Sequence, residues 1–168
     1  MRQRIIAPIF LMLLAVPSHA QAQLDAAAKA EINKATKAIE VAPTAINYAE
    51  RGRLYSLNKM YQYAVDDYTR ATKLLPREPG LYVRRALQFE KLRDFIAAIS
   101  DDNQALDLSK RGDHNYMNAL RGRAVCYDAL GRRKEMLADL NDLIDLGDKG
   151  AAADLEKLRR ERTQGPRP

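Results

Sequence analysis

The chain of 168 residues is poor in the side chains on which catalysis and metal binding depend, with one cysteine, two histidines and no tryptophan. A single cysteine excludes an intramolecular disulfide framework and a zinc site built from several thiolates. His19 lies in a segment that we expect to be removed, and one remaining imidazole gives little support to triad chemistry or metal-assisted hydrolysis. No glycine-rich phosphate loop, nucleophile elbow or catalytic carboxylate pair is present. The composition favours a protein that is not an enzyme and needs no cofactor or metal.

The charge balance excludes two further classes of protein. Charged residues make up 30% of the chain and hydrophobic residues 46%, which is an ordinary globular composition and argues against wholesale disorder. The formal net charge is +6, but the basic runs at residues 132–134 and 159–160 are short and interleaved with acids. A nucleic-acid partner is therefore not expected. The length is that of one domain with a usable core.

The N-terminus has the pattern of a secretory signal peptide. Arg2 and Arg4 precede twelve apolar residues at 5–16, and small residues follow at a point where cleavage after Ala20, or alternatively after Ala22, fits the pattern. Twelve residues are fewer than the roughly 20 that a membrane-spanning helix needs. We therefore expect residues 1–20 to be removed, leaving no permanent membrane anchor. The mature protein would be periplasmic or secreted, with a net charge of +4 once both arginines are lost.

An internal repeat organises the remaining chain. Residues 45–78, 79–112 and 117–150 superimpose; the first two follow at a period of 34, and the third begins four residues late. In each copy an arginine precedes a small residue, a bulky residue stands four positions before the small one, and an aromatic follows three after it. The small residues are Gly52, Ala86 and Ala124, and the aromatics are Tyr55, Phe89 and Tyr127. A fixed period of this length predicts a stacked repeat architecture.

These positions resemble the tetratricopeptide repeat, whose pattern W-x2-L-G-x2-Y…A-x3-F…P has the same period. The first copy matches best, with Tyr48, Gly52, Tyr55, Ala64, Tyr68, Ala71 and Pro76 at the motif spacing. The second copy has Asp102 in place of the second-helix aromatic, and the third copy is looser. The resemblance implies an all-α solenoid of three stacked helix hairpins within a domain at residues 24–163. Apolar periodicity at 24–41 and 151–163 predicts an N-terminal and a C-terminal capping helix, with a frayed tail at 164–168.

Each copy also carries an aspartate sixteen residues after its arginine, which pairs Arg51 with Asp67, Arg85 with Asp101 and Arg123 with Asp139. One interpretation is a catalytic or anion site repeated three times. The interpretation that we favour is an ion pair that ties the two helices of each hairpin together, partly buried and hydrogen-bonded.

Other candidate ligands have simpler explanations. The acids between Asp139 and Asp148 do not follow the spacing of a calcium-binding loop, so they predict a solvated helix face. His114 has no second imidazole within reach and is expected to be a cap or loop residue. Cys126 lies in an apolar-periodic helix, which predicts a buried thiol.

The resemblance implies a partner-binding face. Tetratricopeptide arrays bind peptides or protein surfaces along the concave face lined by the first helix of each repeat. The motif places several residues of this chain there, and those predicted to bind a partner are Arg53, Val83, Leu87, Glu90, Arg121 and Val125. Some family members grip a C-terminal carboxylate with a Lys/Asn/Arg clamp. The matching positions here hold Ala49, Arg53, Arg84, Asn118 and Gly122, so that clamp is not expected.

The sequence leaves two functions open. The first is an exported scaffold or adaptor that binds a peptide or protein along its concave face. The alternative is an accessory subunit of an envelope enzyme, or of a secretion or assembly machine. Neither the partner nor the oligomeric state is indicated by the residues.

Overall fold

A computed structural model describes the backbone of residues 19–164 and the side chains of residues 26–158 and Arg160. Residues 1–18, which hold most of the expected signal peptide, and residues 165–168 of the expected tail lie outside the described part. Within it the chain forms eight α-helices and no strand. They are α1 His19–Val41, α2 Ala45–Leu57, α3 Tyr61–Leu74, α4 Pro79–Lys91, α5 Phe95–Leu108, α6 His114–Ala129, α7 Arg133–Asp145 and α8 Lys149–Gln164. The prediction of an all-α fold is confirmed.

The helices stack in chain order. Each helix packs against the next one along the chain, and α4 also contacts α6 directly. The pairs α2–α3, α4–α5 and α6–α7 correspond to the three sequence copies. Helix α1 begins at His19, earlier than the predicted 24, and α8 covers 149–164 where 151–163 was predicted. Both candidate cleavage positions of the signal peptide lie in the first turn of α1. No helix among the described residues is long and apolar enough to cross a membrane.

Short polar residues begin several of these helices. Thr44, Asp94 and Asp113 each accept a hydrogen bond from the backbone N–H three residues on, which satisfies a donor that the first helical turn leaves free. Asp148 does the same for α8 through the backbone N–H groups of Gly150 and Ala151. The expectation that His114 is a cap or loop residue is therefore wrong. It is the first residue of α6, whereas the cap is its neighbour Asp113.

The turn within each hairpin is closed by one residue in the left-handed region. These residues are Lys59 with φ 59°, Arg93 with φ 62° and Gly131 with φ 69°. They occupy the same position in the three copies, but only the third copy has glycine, which adopts this conformation without steric cost. The helix pair therefore closes in the same way in all three copies, whichever residue is present.

Small residues let the helices approach one another, as the repeat pattern predicts. A Cβ atom added to Gly52 would lie 3.3 Å from the ring of Tyr68, which is only 2% exposed. Ala64, Ala98 and Ala119 are fully buried. The main core lies between the second and third hairpins and includes Ala86, Ile99, Leu120, Ala124, Tyr127, Met136, Leu140 and Leu143.

The three arginine–aspartate pairs are formed within their hairpins. Arg85 donates from Nε and Nη2 to the two carboxylate oxygens of Asp101, both at 2.7 Å, and the same two-pronged geometry joins Arg51 to Asp67 and Arg123 to Asp139. The interpretation as a link between the two helices of a hairpin is confirmed. Because the carboxylates are 8% exposed or less, solvent weakens these pairs little.

Each arginine also reaches the preceding helix, which the sequence pattern did not predict. Arg51 donates to Thr36 of α1 at 3.2 Å, and Arg123 donates to Asn103 of α5 at 2.6 Å. Arg85 donates to both Thr69 and Thr72 of α3, at 3.1 Å each. One guanidinium therefore joins three consecutive helices in every repeat, so it fixes the stacking of hairpins as well as the geometry within one hairpin.

Candidate functional site

A groove of about 310 Å³ lies between the first helices of the second and third hairpins. Helices α4 and α6 form its two walls. Five of the six residues predicted to bind a partner line it, namely Val83, Leu87 and Glu90 from α4 and Arg121 and Val125 from α6. Leu87 is 46% exposed and Val125 is 51% exposed, so both walls present apolar surface at the mouth of the groove.

Arg53, the sixth predicted residue, does not reach the groove. It lies on α2 and donates two hydrogen bonds to the carboxylate of Glu50, at 3.0 and 2.7 Å, one turn away on the same helix. These bonds lower the pKa of Glu50 and raise that of Arg53. Any contact that Arg53 makes with a partner would therefore compete with an existing exposed ion pair.

Arg121 lies between this groove and a second cleft. The second cleft, of about 430 Å³, is formed by α6, α7 and α8 and is lined mainly by apolar side chains such as Leu140, Leu143 and Leu158. Arg121 donates to Asn118 at 2.9 Å and also forms an ion pair with Asp148, the residue that caps α8. Its charge is already balanced within the protein, which reduces its capacity to attract an acidic ligand.

The floor of the groove is a buried acid that the sequence did not identify as a binding residue. Asp102 of α5 is 2% exposed and lines the groove, and its Oδ2 atom has no hydrogen-bond partner. Burial, followed by the negative charge of Asp101, raises the pKa of Asp102 to about 8. The carboxyl of the free protein is therefore mostly protonated at neutral pH.

The remaining groove residues explain how the acid is accommodated. A Cβ atom added to Gly122 would lie 2.9 Å from Oδ2 of Asp102, so the carboxyl occupies space that any other residue at 122 would fill. Ala86, Asn118 and Cys126 complete the lining. Cys126 is fully buried, and burial with the charges of Asp102 and Glu90 raises the pKa of its thiol to about 12. The predicted burial of this cysteine is confirmed.

The other candidate ligands do not come together. Among the described residues no group of three or more His, Cys, Asp or Glu side chains is arranged to hold a metal ion. Asp139 and Asp148, at the two ends of the acidic segment, are buried and are engaged by Arg123 and Arg121 respectively, so the prediction of a solvated face is wrong for these two acids. The ring of His114 contacts Asn118 at 2.9 Å on the surface of α6.

Comparisons with known proteins agree with this architecture, although no family model matches the chain. The chain is 27% identical over 130 residues to the small glutamine-rich tetratricopeptide repeat-containing protein 2 of Saccharomyces cerevisiae. The matched segment covers 77% of this chain but only 36% of that relative. The chain therefore spans about a third of the length of the relative it matches.

Solved structures give the same result at the level of the fold. The TPR domain of Arabidopsis OM64 superimposes with a TM-score of 0.64 at 28% identity, covering 70% of this chain and 96% of that domain. The first TPR of Spaghetti (RPAP3), bound to the HSP90 peptide SRMEEVD, superimposes with a TM-score of 0.63 at 28% identity, covering 70% of this chain and 92% of that one.

Stacked helix hairpins with a lined concave groove define an α-solenoid of the kind that serves as an interaction domain. The kind of α-solenoid is specified by the repeat pattern, the eight described helices and the likeness to solved domains. The described residues have the fold of a tetratricopeptide-repeat domain, with three stacked helix hairpins and a capping helix at each end.

Proposed function

We propose that the protein is an exported scaffold or adaptor that binds a peptide, or an extended segment of a protein, in the groove between α4 and α6. The observation that carries this proposal is the convergence of Val83, Leu87, Glu90, Arg121 and Val125 on one groove. Exposed Leu87 and Val125 supply apolar contact area, and polar groups at the rim and floor supply orientation, as in other peptide sites.

A structural relative supports binding of this type. The RPAP3 domain with the same fold is bound to a peptide that ends in Glu-Glu-Val-Asp. In this chain the five positions that would match a carboxylate clamp hold Ala49, Arg53, Arg84, Asn118 and Gly122. The proposed ligand is therefore a peptide bound along the groove and not an acidic C-terminus held by a clamp.

The apolar walls of the groove provide the test. We would replace Leu87 and Val125 together by serine and compare crosslinked partners from the native compartment with those of the unchanged protein. The matched control replaces Leu57 and Ile96, which are 67% and 65% exposed but do not line the groove. Loss of a specific crosslinked partner in the groove variant, but not in the control, is expected. Equal capture by both variants would contradict the proposal.

The same experiment addresses the alternative of an accessory subunit. A stoichiometric enzyme, secretion or assembly component among the crosslinked proteins would favour the accessory role, whereas several unrelated partners would favour an adaptor. In either case we propose that the chain itself performs no chemistry. The support is the small number of nucleophile and base side chains, together with a groove whose one cysteine is buried and has a raised pKa.

Export rests on the N-terminal pattern of two arginines, an apolar stretch and small residues. Cell fractionation followed by N-terminal sequencing tests it. A mature chain that begins at Gln21 or Gln23 in the exported fraction is the expected result. An intact N-terminus in the cytoplasm would contradict it.

A further inference from the structure

The groove exists because two side chains that fill the equivalent space in the preceding repeat are replaced. Between the first and second hairpins, Tyr68 occupies the interior and Arg84 lies close enough to its phenol to lower the pKa that burial raises. The equivalent positions between the second and third hairpins hold Asp102 and Gly122. The ring of Tyr68 is thus replaced by the smaller carboxyl of Asp102, and the side chain of Arg84 by the hydrogen atom of Gly122. The space that these larger side chains would fill is the groove.

The floor that results is unusual for a protein interior. A buried carboxyl oxygen without a hydrogen bond is energetically unfavourable, and most buried polar groups have a partner. Oδ2 of Asp102 has none in the protein, although its side chain is almost fully buried and lines an open groove. A ligand group that donates a hydrogen bond would satisfy this oxygen in the ionised carboxylate, whereas only the protonated form could serve an acceptor.

The charges around the floor select the sign of that group. Glu90 lines the same groove, and it adds a second negative charge that acts on Asp102. Its carboxylate accepts a hydrogen bond from the neighbouring Lys91 at 3.1 Å, but the side chain of Lys91 is 46% exposed and does not line the groove, so this pair is weak. The cation in the lining, Arg121, is paired with Asp148, and the nearby Arg123 is paired with Asp139. An acidic ligand would meet two carboxyl groups and no unpaired arginine there, whereas a positively charged donor would complement both acids.

We propose that the groove between α4 and α6 takes a basic side chain, lysine or arginine, from the bound peptide, with Asp102 as the buried partner at its floor and Glu90 as the second acid. This inference rests on the proposed peptide-binding function and specifies the chemistry of the peptide. Leu87 and Val125 pack against the aliphatic stem of the side chain, since long basic residues bury their methylenes along apolar surface.

Binding of a cation is coupled to loss of a proton. Asp102 is protonated in the free protein below pH 8 and ionised beside the ligand, so binding releases one proton and affinity rises with pH. The charged groups that act on Asp102 are Asp101 on its own helix, Glu90 from α4, Arg123 from α6 and Asp139 from α7. Cys126 also faces it, but the raised pKa of that thiol of about 12 keeps it neutral through the range tested.

The test begins with random twelve-residue peptides displayed on phage and selected on the mature chain. Retained peptides are expected to share lysine or arginine at one fixed position. The same selection on Asp102→Asn, which preserves shape and removes the charge, is expected to lose that preference. Glu90→Gln, at the rim of the groove, provides a second variant and is expected to weaken the preference without abolishing it.

Calorimetry with one retained peptide supplies the second measurement. Affinity is expected to rise about tenfold for each pH unit from 6 to 8 and to level off above 8, because one proton is released. Asp102→Asn should give a flat profile. The ring of His114 contacts the groove residue Asn118, so the reference protein and Asp102→Asn both carry His114→Gln, which removes the imidazole from the comparison.

The outcomes separate this inference from the function on which it depends. If no peptide is retained above the level of the Leu87→Ser and Val125→Ser double variant, the proposed function is contradicted and this inference with it. If peptides are retained without a basic preference, or if the preference survives Asp102→Asn, peptide binding stands and the basic side chain is wrong.

Discussion

The guanidinium of Arg85 holds both carboxylate oxygens of Asp101 at 2.7 Å and, through its third nitrogen, both Thr69 and Thr72 of the preceding helix at 3.1 Å. The hydrogen bond to Asp101 raises the pKa of Arg85, so the guanidinium keeps its charge. Because three helices meet at one side chain, its removal affects both the hairpin and the stacking of hairpins.

Replacing Arg85 by alanine is expected to lower the free energy of unfolding by about 3 kcal/mol, because Asp101 is left as a buried carboxylate without its partner. Urea denaturation measures the change. Arg53→Ala is the matched control, since its pair with Glu50 is 44% and 50% exposed and should cost less than about 1 kcal/mol. The double variant Arg85→Ala with Asp101→Ala should recover part of the loss. Equal midpoints for Arg85→Ala and Arg53→Ala would show that the buried pair has no structural role.

The turns inside the hairpins allow a second prediction, in which opposite substitutions at two equivalent positions have opposite effects on stability. Lys59 has φ 59° and Gly131 has φ 69° at equivalent positions. A non-glycine residue is strained there by about 1–2 kcal/mol. Glycine relieves this strain, but its greater freedom in the unfolded chain offsets part of the gain in stability. Lys59→Gly should therefore raise the free energy of unfolding by about 0.5–1 kcal/mol, and Gly131→Lys should lower it by a similar amount.

The control for the turn prediction is Lys59→Ala, which keeps the strain and should leave stability nearly unchanged. A Cβ atom at Gly131 would have no atom within 4 Å, so any loss there is conformational and not a clash. Chemical denaturation of the three single variants gives the comparison. If Lys59→Gly and Lys59→Ala have the same stability, the left-handed conformation is not a cost at this turn.

Most of the fold follows from local patterns in the sequence. The spacing of small and aromatic residues predicts helix hairpins, and the interval of sixteen residues between arginine and aspartate predicts a pair across each hairpin. Both depend on positions within one repeat. The contact of Arg51 with Thr36 joins the first repeat to the capping helix α1, and that of Arg123 with Asn103 joins the third repeat to the second. They span 15 and 20 residues, so no single interval in the sequence reveals them.

The candidate site divides in the same way. Its walls were predictable, because the motif places Leu87 and Val125 on the concave face. Its floor was not, since it depends on Asp102 and Gly122 meeting across two repeats. A signal was present in the departure of Asp102 from the aromatic that the repeat pattern has at that position. The meaning of this departure becomes clear only when Gly122 is known to face Asp102.

Cys126 provides a test of packing behind the groove. Its thiol is fully buried and its pKa is raised to about 12, so both access and thiolate formation are limited. At pH 8 the native protein should react with iodoacetamide at least about 100-fold more slowly than the protein unfolded in urea. A Cys126→Ala chain carrying Ser100→Cys, at an exposed position, should react rapidly in the native state. Fast labelling of native Cys126 would mean that the groove admits the reagent to its floor.

The raised pKa of Asp102 also makes stability depend on pH in a direction opposite to that of ordinary aspartates. The carboxyl titrates near 3.8 in the unfolded chain and near 8 in the folded protein, so folding takes up a proton between these values. The stability that the neutral carboxyl allows is fully present below pH 4 and is lost as pH rises through 8. Asp102→Asn is neutral at every pH and carries no such loss.

The melting temperatures of the two proteins should therefore be similar near pH 4 and diverge as the pH is raised. By pH 8.5 Asp102→Asn should melt higher by about 5 °C or more, since each kcal/mol shifts the midpoint by several degrees in a domain of this size. Asp107→Asn, at an exposed position of the same helix, is the matched control and should follow the unchanged protein throughout. Parallel melting curves for all three across this range would mean that Asp102 is ionised and solvated in the free protein, and the proton release expected on binding would then be absent as well.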